Sequence, residues 1–336
     1  MSSFPKFSVV VPVFNRPDEV AELLESLTRQ TYRDFEVIVV EDGSTARCDQ
    51  VVDAFRDRMQ VTYVFKPNSG PGPSRNVGFT QAKGEYMVLF DSDCLLPPHY
   101  FQSVHDFLST HTVDVWGGPD RGHENFTPLQ QAMGYTMASV LTTGGIRGGK
   151  KHVGVFQPRS FNMGLSRQVV KATGGFAFDR LAEDIELSIR IRKAGFITAL
   201  IPEAFVYHKR RTTLKQFYRQ VYHFGKGRVL VGRAHPGEVK LAHWFPTVFV
   251  AGGIFVVVLW WAFPVVCLLG AGFFGTYLAA IGMDAYQKTG RAYVAWLALP
   301  SAVIQLTGYG LGFFNTWLET YMGYKRKKRV LVGHQH

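Results

Sequence analysis

The sequence predicts an α/β fold built on a mostly parallel sheet, followed by transmembrane helices. Three observations predict it. Short apolar runs alternate with helical periodicities as far as Phe90, and each run stops at a polar or acidic cluster. Then, from Trp244 to Met283, 40 consecutive residues contain no Asp, Glu, Lys or Arg. The chain has 336 residues, 46% of them hydrophobic and 19% charged, which excludes a disordered or low-complexity protein. Three cysteines without CxxC spacing exclude a disulfide scaffold and a zinc ribbon, and fit a reducing compartment.

Phe7–Phe14 (FSVVVPVF) is an apolar run bounded by turn residues, as a buried parallel strand should be. It is too short for a signal peptide. Over Asp18–Gln30, Val20, Leu23, Leu24 and Leu27 recur at helical spacing. Phe35–Val40 is the next strand, Val51–Met59 a helix and Val61–Phe65 a third strand. The Gly/Pro-rich turn Asn68–Pro73 leads to a short helix ending near Gly84, and Tyr86–Phe90 is a fourth strand. Strand–helix alternation implies right-handed crossovers, and ligands of such sheets lie beyond the carboxyl ends of the strands. Pro12–Asn15, Glu41–Ser44 and Asp91–Asp93 all fall at those ends.

The uncharged run at Trp244–Met283 covers roughly 60 Å as helix, twice a hydrocarbon core of about 30 Å, so a hairpin turning near Pro264 is expected. A second uncharged run, Ala292–Leu318, is long enough to span, although Pro300, Gly308, Gly310 and Gly312 permit a broken or re-entrant helix. The cluster Lys325–Arg329 belongs on the cytoplasmic side. With the front part also cytoplasmic, the spans must be even in number. Two spans plus a re-entrant or interfacial segment are favoured, with four short spans as the alternative. The expected domains are therefore 1–230, a linker over 231–243, membrane helices over 244–322 in two or three segments, and a basic tail over 323–336. Residues 244–336 carry a net +5 and the first 243 a net +6, which suits anionic headgroups or phosphate-bearing substrates. No basic helix or stacked-aromatic motif supports nucleic acid as a partner.

The chemistry is concentrated at the strand ends. Asp91 and Asp93 flank Ser92, and residues two apart on an extended chain point the same way. Such a pair suits a divalent ion, Mn²⁺ or Mg²⁺, or is simply a solvated turn. Asp42 before Gly43 can accept from a nucleobase or ribose, or form an Asx-turn. Arg75, in a segment without GxGxxG or a Walker lysine, can meet a nucleotide or pair with an acidic neighbour. Glu183 and Asp184 open a helix, where a carboxylate serves the helix dipole or takes a proton from an acceptor hydroxyl. Gly144–Lys151 reads as a loop, over an acceptor cleft or merely on the surface.

VVVPVFNR, VIVVEDGS, NSGPGPSRNVGF, YMVLFDSD and AEDIELSIRIRKAG, in that order, closely resemble the family 2 glycosyltransferases of GT-A (Rossmann-like) fold. The resemblance covers about residues 7–230. It implies an inverting, metal-dependent transferase. Pro12, Phe14 and Asp42 would surround the uridine of a nucleotide-sugar, with Arg75 near by. Asp91, followed by Ser92, would lie near the ribose, and Asp93 would hold the metal. Asp184 of the Glu183-Asp184 pair would be the base, and His208 would reach the metal or diphosphate unless it is structural.

Gln216 and Arg219 keep part of the Gln-x-x-Arg-Trp pattern of processive synthases, as possible acceptor or diphosphate contacts, but Gln220 replaces the Trp. With so short a membrane region, that argues against polymer secretion. The chain looks closer to enzymes of exopolysaccharide or lipid-linked glycan assembly. These sit in the cytoplasmic (inner) membrane, catalytic domain facing the cytoplasm, with a lipid-linked or saccharide acceptor. The alternatives are a polyprenyl-phosphate sugar synthase and a non-catalytic nucleotide-binding scaffold. The sequence leaves the oligomeric state open.

Overall fold

The computed structural model describes residues 5–123, 125–143, 156–209 and 211–322. The Gly144–Lys151 segment and the Lys325–Arg329 cluster lie outside the described residues. Packing divides the chain into two compact units that interleave in sequence. One comprises residues up to His123 together with 156–209; the other comprises 125–143 and 211–322. Residues 214–230, expected within the front domain, thus belong to the second unit.

The first unit is the α/β part. Its elements are β1 (Phe7–Val13), α1 (Pro17–Thr28), β2 (Phe35–Asp42), α2 (Asp49–Asp53), β3 (Val61–Lys66), α3 (Pro71–Gln81) and β4 (Tyr86–Phe90). They continue through β5 (Cys94–Leu95), α4 (Tyr100–Thr110), β6 (Val115–Gly117) and β7 (Asp120–Arg121). After the second unit's excursion come β8 (Asn162–Ser166), α7 (Arg167–Thr173), α8 (Glu183–Lys193), β9 (Thr198–Leu200) and β10 (Val206–His208). The helix expected over Val51–Met59 is only the short α2; beyond it the chain turns back on itself, with Met59 N bonded to Phe55 O.

The main sheet runs β3-β2-β1-β4-β8-β6-β9. The first four strands pair in parallel and β8 runs antiparallel to both its neighbours, so the sheet is mostly parallel as expected. A small second sheet runs β5-β10-β7, with β10 antiparallel to β5 and parallel to β7. Period-2 alternation explains why β1 is apolar throughout. Val9, Val11 and Val13 pack with Leu23, Leu24 and Leu27 of α1, while Val10 faces Phe79 of α3 and Leu187 of α8. Gly78 lets α3 approach the sheet, because a Cβ there would lie 2.2 Å from Val10 Cγ1.

The second unit is helical: α5 (Pro128–Ala138), α6 (Val140–Thr143), α9 (Leu214–Ala234), a single 3₁₀ turn at Leu241–Trp244, α10 (Phe245–Val258), α11 (Pro264–Thr289) and α12 (Ala292–Tyr321). Three helical stretches are long and apolar enough to cross a membrane, Leu241–Val258, Pro264–Thr289 and Ala292–Tyr321, with mean hydropathy 1.9, 1.9 and 1.3. The turn before Pro264 makes α10 and α11 the expected hairpin, with the proline at the first helical position where its missing N–H costs nothing. The apolar window of α10 has 0% of its residues buried by protein, whereas that of α12 has 50%.

The expected break in Ala292–Leu318 does not occur: α12 runs unbroken through Pro300 and all three glycines. Those glycines serve close packing instead. A Cβ on Gly312 would lie 2.1 Å from the Tyr222 carbonyl oxygen of α9, one on Gly310 2.5 Å from the Pro246 oxygen, and one on Gly308 2.6 Å from Val221 Cγ2. Gly225 of α9 returns the arrangement, at 2.2 Å from the Tyr309 oxygen. Small residues that admit a neighbouring backbone are the means by which helices associate in an apolar surround. Gly312→Ala is therefore expected to cost roughly 1–3 kcal/mol, seen as a lower Tm of the full chain in detergent; an unchanged Tm would contradict this packing.

Candidate active site

The site is built at the carboxyl ends of β1, β2 and β4 and the start of α8. Arg75 is its hub. This arginine projects from the first turns of α3, is 2% exposed, and holds both acidic motifs. Its Nη2 donates to Asp91 Oδ1 at 2.6 Å and its Nη1 to Glu183 Oε1 at 3.0 Å. The guanidinium also lies over the Phe176 ring, 5.3 Å from its centroid. One side chain thus ties the turn after β4 to the N-terminus of α8. Of the two readings open for Arg75, the structure has the acidic pairing. Burial disfavours its charge, but the two carboxylates outweigh that and hold it firmly cationic.

Asp93, two residues on, meets a different set of partners. Arg16 Nη1 lies 3.0 Å from its Oδ2, and His208 Nε2 lies 3.0 Å from its Oδ1. Arg16 enters because Asn15, at φ +54°, turns the chain sharply after β1. The Asn15 side chain in turn accepts from the backbone N–H groups of Thr45 and Ala46, joining the loops after β1 and β2. His208 arrives on β10, paired antiparallel with Cys94 of β5, and its ring stacks on Phe161 at 4.7 Å.

Asp93, Cys94 and His208 offer ligand atoms within 4.8 Å of one another. Burial pushes the Cys94 thiol well above its ordinary pKa, and it points to the Phe161 carbonyl, so it is a poor ligand. The remaining carboxylate and imidazole fit a divalent ion that completes its shell with phosphate oxygens and water. His208 Nδ1 is buried with no hydrogen-bond partner among the described residues, so the ring's bonding is not saturated by protein.

Glu183 and Asp184 follow Ala182, whose backbone is left-handed at φ +57°. Strain of this kind at a non-glycine residue is held in place by its surroundings and gathers at functional sites. It aims two consecutive carboxylates in different directions. Glu183 turns in to Arg75, while Asp184 has its Oδ2 3.5 Å from Arg159 Nε and its Oδ1 on the Ile185 N–H. Burial, then the Asp184 charge, push Glu183 up to about 7, against the pull of Arg75. A carboxyl raised in the folded state stabilises fully below its unfolded pKa, near 4.3, and that contribution is lost as pH rises through about 7. The Tm should therefore fall between about pH 5 and 7.5, and Glu183→Gln should flatten the fall; an equal slope in the variant would remove Glu183 as the cause.

The other expected residues are placed as follows. Both Asp42 oxygens accept backbone N–H groups, from Ser69 and Gly70, each at 2.8 Å, and Lys66 donates to Oδ1. Burial would raise this carboxyl, but Lys66 and the two N–H groups hold it below its ordinary range. Asp42 therefore shapes the loop after β3, and any nucleobase must share its oxygens. Phe14 is exposed and Pro12 half-buried at the end of β1, and Ser92 is buried between the aspartates. Gln216 and Arg219 lie on α9 in the second unit, where Gln216 Oε1 accepts from the Thr212 N–H at 3.2 Å. Sequence reasoning missed Arg16, Lys66 and Arg159 as partners of the acidic groups. Arg16 sits inside a motif and was within reach; Arg159 follows a stretch with no periodicity and carried no signal.

A mostly parallel sheet with carboxylates at the ends of β2 and β4 and a third acidic group at a helix start is the arrangement of a GT-A fold, and known proteins bear out that fold class. Residues 8–173 match the model described as glycosyl transferase family 2, so the chain carries a domain of that family. It is 37% identical over 114 residues to poly(ribitol-phosphate) beta-N-acetylglucosaminyltransferase TarS of Staphylococcus aureus, a match covering 33% of this chain and 20% of TarS. It is 32% identical over 111 residues to the glycosyltransferase GlyG of Streptococcus pneumoniae, covering 32% of this chain and 36% of GlyG. The chain thus spans only a fifth to about a third of the length of these relatives. The fold is shared with the Pyrobaculum calidifontis mannosyltransferase PcManGT, solved with GDP-Man and Mn²⁺, at a TM-score of 0.57, 19% identity, and 92% and 88% coverage of the two chains.

Proposed function

We propose that the chain is a membrane-anchored, metal-dependent inverting glycosyltransferase. It takes a sugar from a nucleotide-sugar, a UDP-sugar by the family resemblance, and places it on a hydroxyl of a lipid-linked or saccharide acceptor. The observation that carries this reading is the Arg75 bridge between Asp91 and Glu183, with Asp93 and His208 in contact on the donor side. PcManGT holds GDP-Man with Mn²⁺, and glucosyl-3-phosphoglycerate synthase of Mycobacterium tuberculosis, with a TM-score of 0.50 and 18% identity, was solved with Mn²⁺ and UDP. Both lend support to a divalent ion and a nucleotide donor. The three apolar helices support membrane anchoring; a cytoplasmic α/β unit is what the family resemblance implies, and with three full spans it would place the C-terminal tail on the opposite side.

Asp93 and His208 would hold the ion, which supplies Lewis-acid stabilisation of the departing diphosphate. Arg16, beside Asp93, adds fixed positive charge there. Asp184 accepts the acceptor hydroxyl's proton as that oxygen bonds to the anomeric carbon. The bond from that carbon to the diphosphate oxygen breaks, its electron pair leaves with the nucleoside diphosphate, and the configuration inverts. Arg75 and Glu183 keep the two halves of the site in register.

A second reading, a polyprenyl-phosphate sugar synthase, is favoured by Arg159. Its guanidinium beside Asp184 suits an acceptor phosphate, which needs no base. The product decides between them: sugar joined to a hydroxyl, or to a lipid monophosphate. The test of the reading as a whole is a panel of UDP-, GDP- and dTDP-sugars presented to the full chain in detergent after chelation. Nucleoside diphosphate should appear only when Mn²⁺ or Mg²⁺ is restored, and Asp93→Asn should lower the rate by about a hundredfold or more. Equal turnover in chelator would refute the metal-dependent scheme.

A further inference from the structure

Helix α9 carries a face that the transfer scheme does not use. At about 100° per residue, Lys215, Arg219, Lys226 and Arg233 fall within about 40° of one another around its axis. Phe217 and Val221 lie on the opposite side and Gly225 and Gly232 on a flank about 100–120° from the stripe, and all four are buried. Lys215, Arg219 and Arg233 are exposed and Lys226 half-buried. None of the four makes an ion pair among the described residues. Over residues 211–243 there are seven Lys and Arg against one carboxylate, Glu238, so the segment itself offers almost nothing to neutralise them.

The surroundings narrow the choice of partner. The same helix packs on α12 through Gly308 and Gly312, and the chain runs from it through Lys240 directly into the apolar hairpin. At that entry Trp244 meets Phe313 at 4.9 Å and Trp317 at 5.2 Å, edge to face, and Tyr321 joins Trp317 at 5.8 Å. Clustered Trp and Tyr at the end of an apolar helix mark the level of lipid headgroups. Long cationic side chains near that level reach for phosphate, at about 1 kcal/mol each on an anionic surface.

We propose that this stripe is a docking face for anionic lipid headgroups, which clamps α9 to the bilayer beside the spans. The inference rests on the membrane reading of α10 and α11. The charge stripe and the aromatic cluster are what it adds to that reading.

The test uses the full chain reconstituted in vesicles containing brominated phosphatidylglycerol or brominated phosphatidylcholine, with tryptophan quenching as the readout. Phosphatidylglycerol should be preferred by at least about fivefold at about 0.05 M salt, and the preference should largely vanish at about 0.5 M. Lys215→Gln/Lys226→Gln/Arg233→Gln should lose most of it in low salt. Equal quenching by the two lipids, or an undiminished preference in the triple variant, overturns the proposal. So does displacement of phosphatidylglycerol by soluble UDP, which would make the stripe a substrate site. Failure of both lipids to quench overturns the membrane reading itself.

Discussion

Asp184→Asn is expected to lower transfer by about 10²–10⁴-fold while leaving donor and metal binding intact. The amide keeps the shape and can still accept from the Ile185 N–H, but it cannot take a proton at neutral pH. Two measurements separate this from general damage: single-turnover transfer to acceptor, and equilibrium binding of the nucleoside diphosphate with Mn²⁺. The first should collapse and the second should stay within about twofold. Transfer near the wild-type rate would remove Asp184 from the role and favour the phosphate acceptor, which arrives already ionised.

Arg75→Met should be the most destabilising single substitution at the site. It leaves Glu183, nearly fully buried, beside Asp91 and Asp184 with no cation between them. Removing one partner of a buried ion pair costs about 3–5 kcal/mol, or roughly 10 °C in Tm for a unit of this size. Adding Glu183→Gln to the variant should restore part of the loss, since Glu183, already pushed up to about 7 beside Arg75, must otherwise take a proton to stay buried. The check is the Tm of the two variants at pH 7.5. A fall of under about 2 °C in the single variant would mean that the bridge contributes little.

Much of the α/β part was legible because its signals are local. Apolar runs of five to eight residues with turn residues at their ends mark β1, β2 and β4 directly, and the acidic ends of those strands follow from the same run-lengths. The short α2 was overextended because Val51–Met59 has the right period, while the turn bonds after Asp53 are set by tertiary context. The α12 glycines were misread for a related reason. In isolation Gly308, Gly310 and Gly312 weaken a helix; their value comes from the backbones of Tyr222 and Pro246, which no local pattern contains. At the site, sequence spacing brought forward the carboxylates but not their counter-charges. Arg16, Lys66 and Arg159 reach their partners across 77, 24 and 25 positions of chain, distances that only the finished sheet closes.

The left-handed residue ahead of α8 lets one helix start serve two tasks. It sends adjacent acids to different partners, one to the Arg75 guanidinium and the next to Arg159 and its own helix N–H. The first acid braces the sheet to the helix as a strut, so a change made at the second need not loosen that brace.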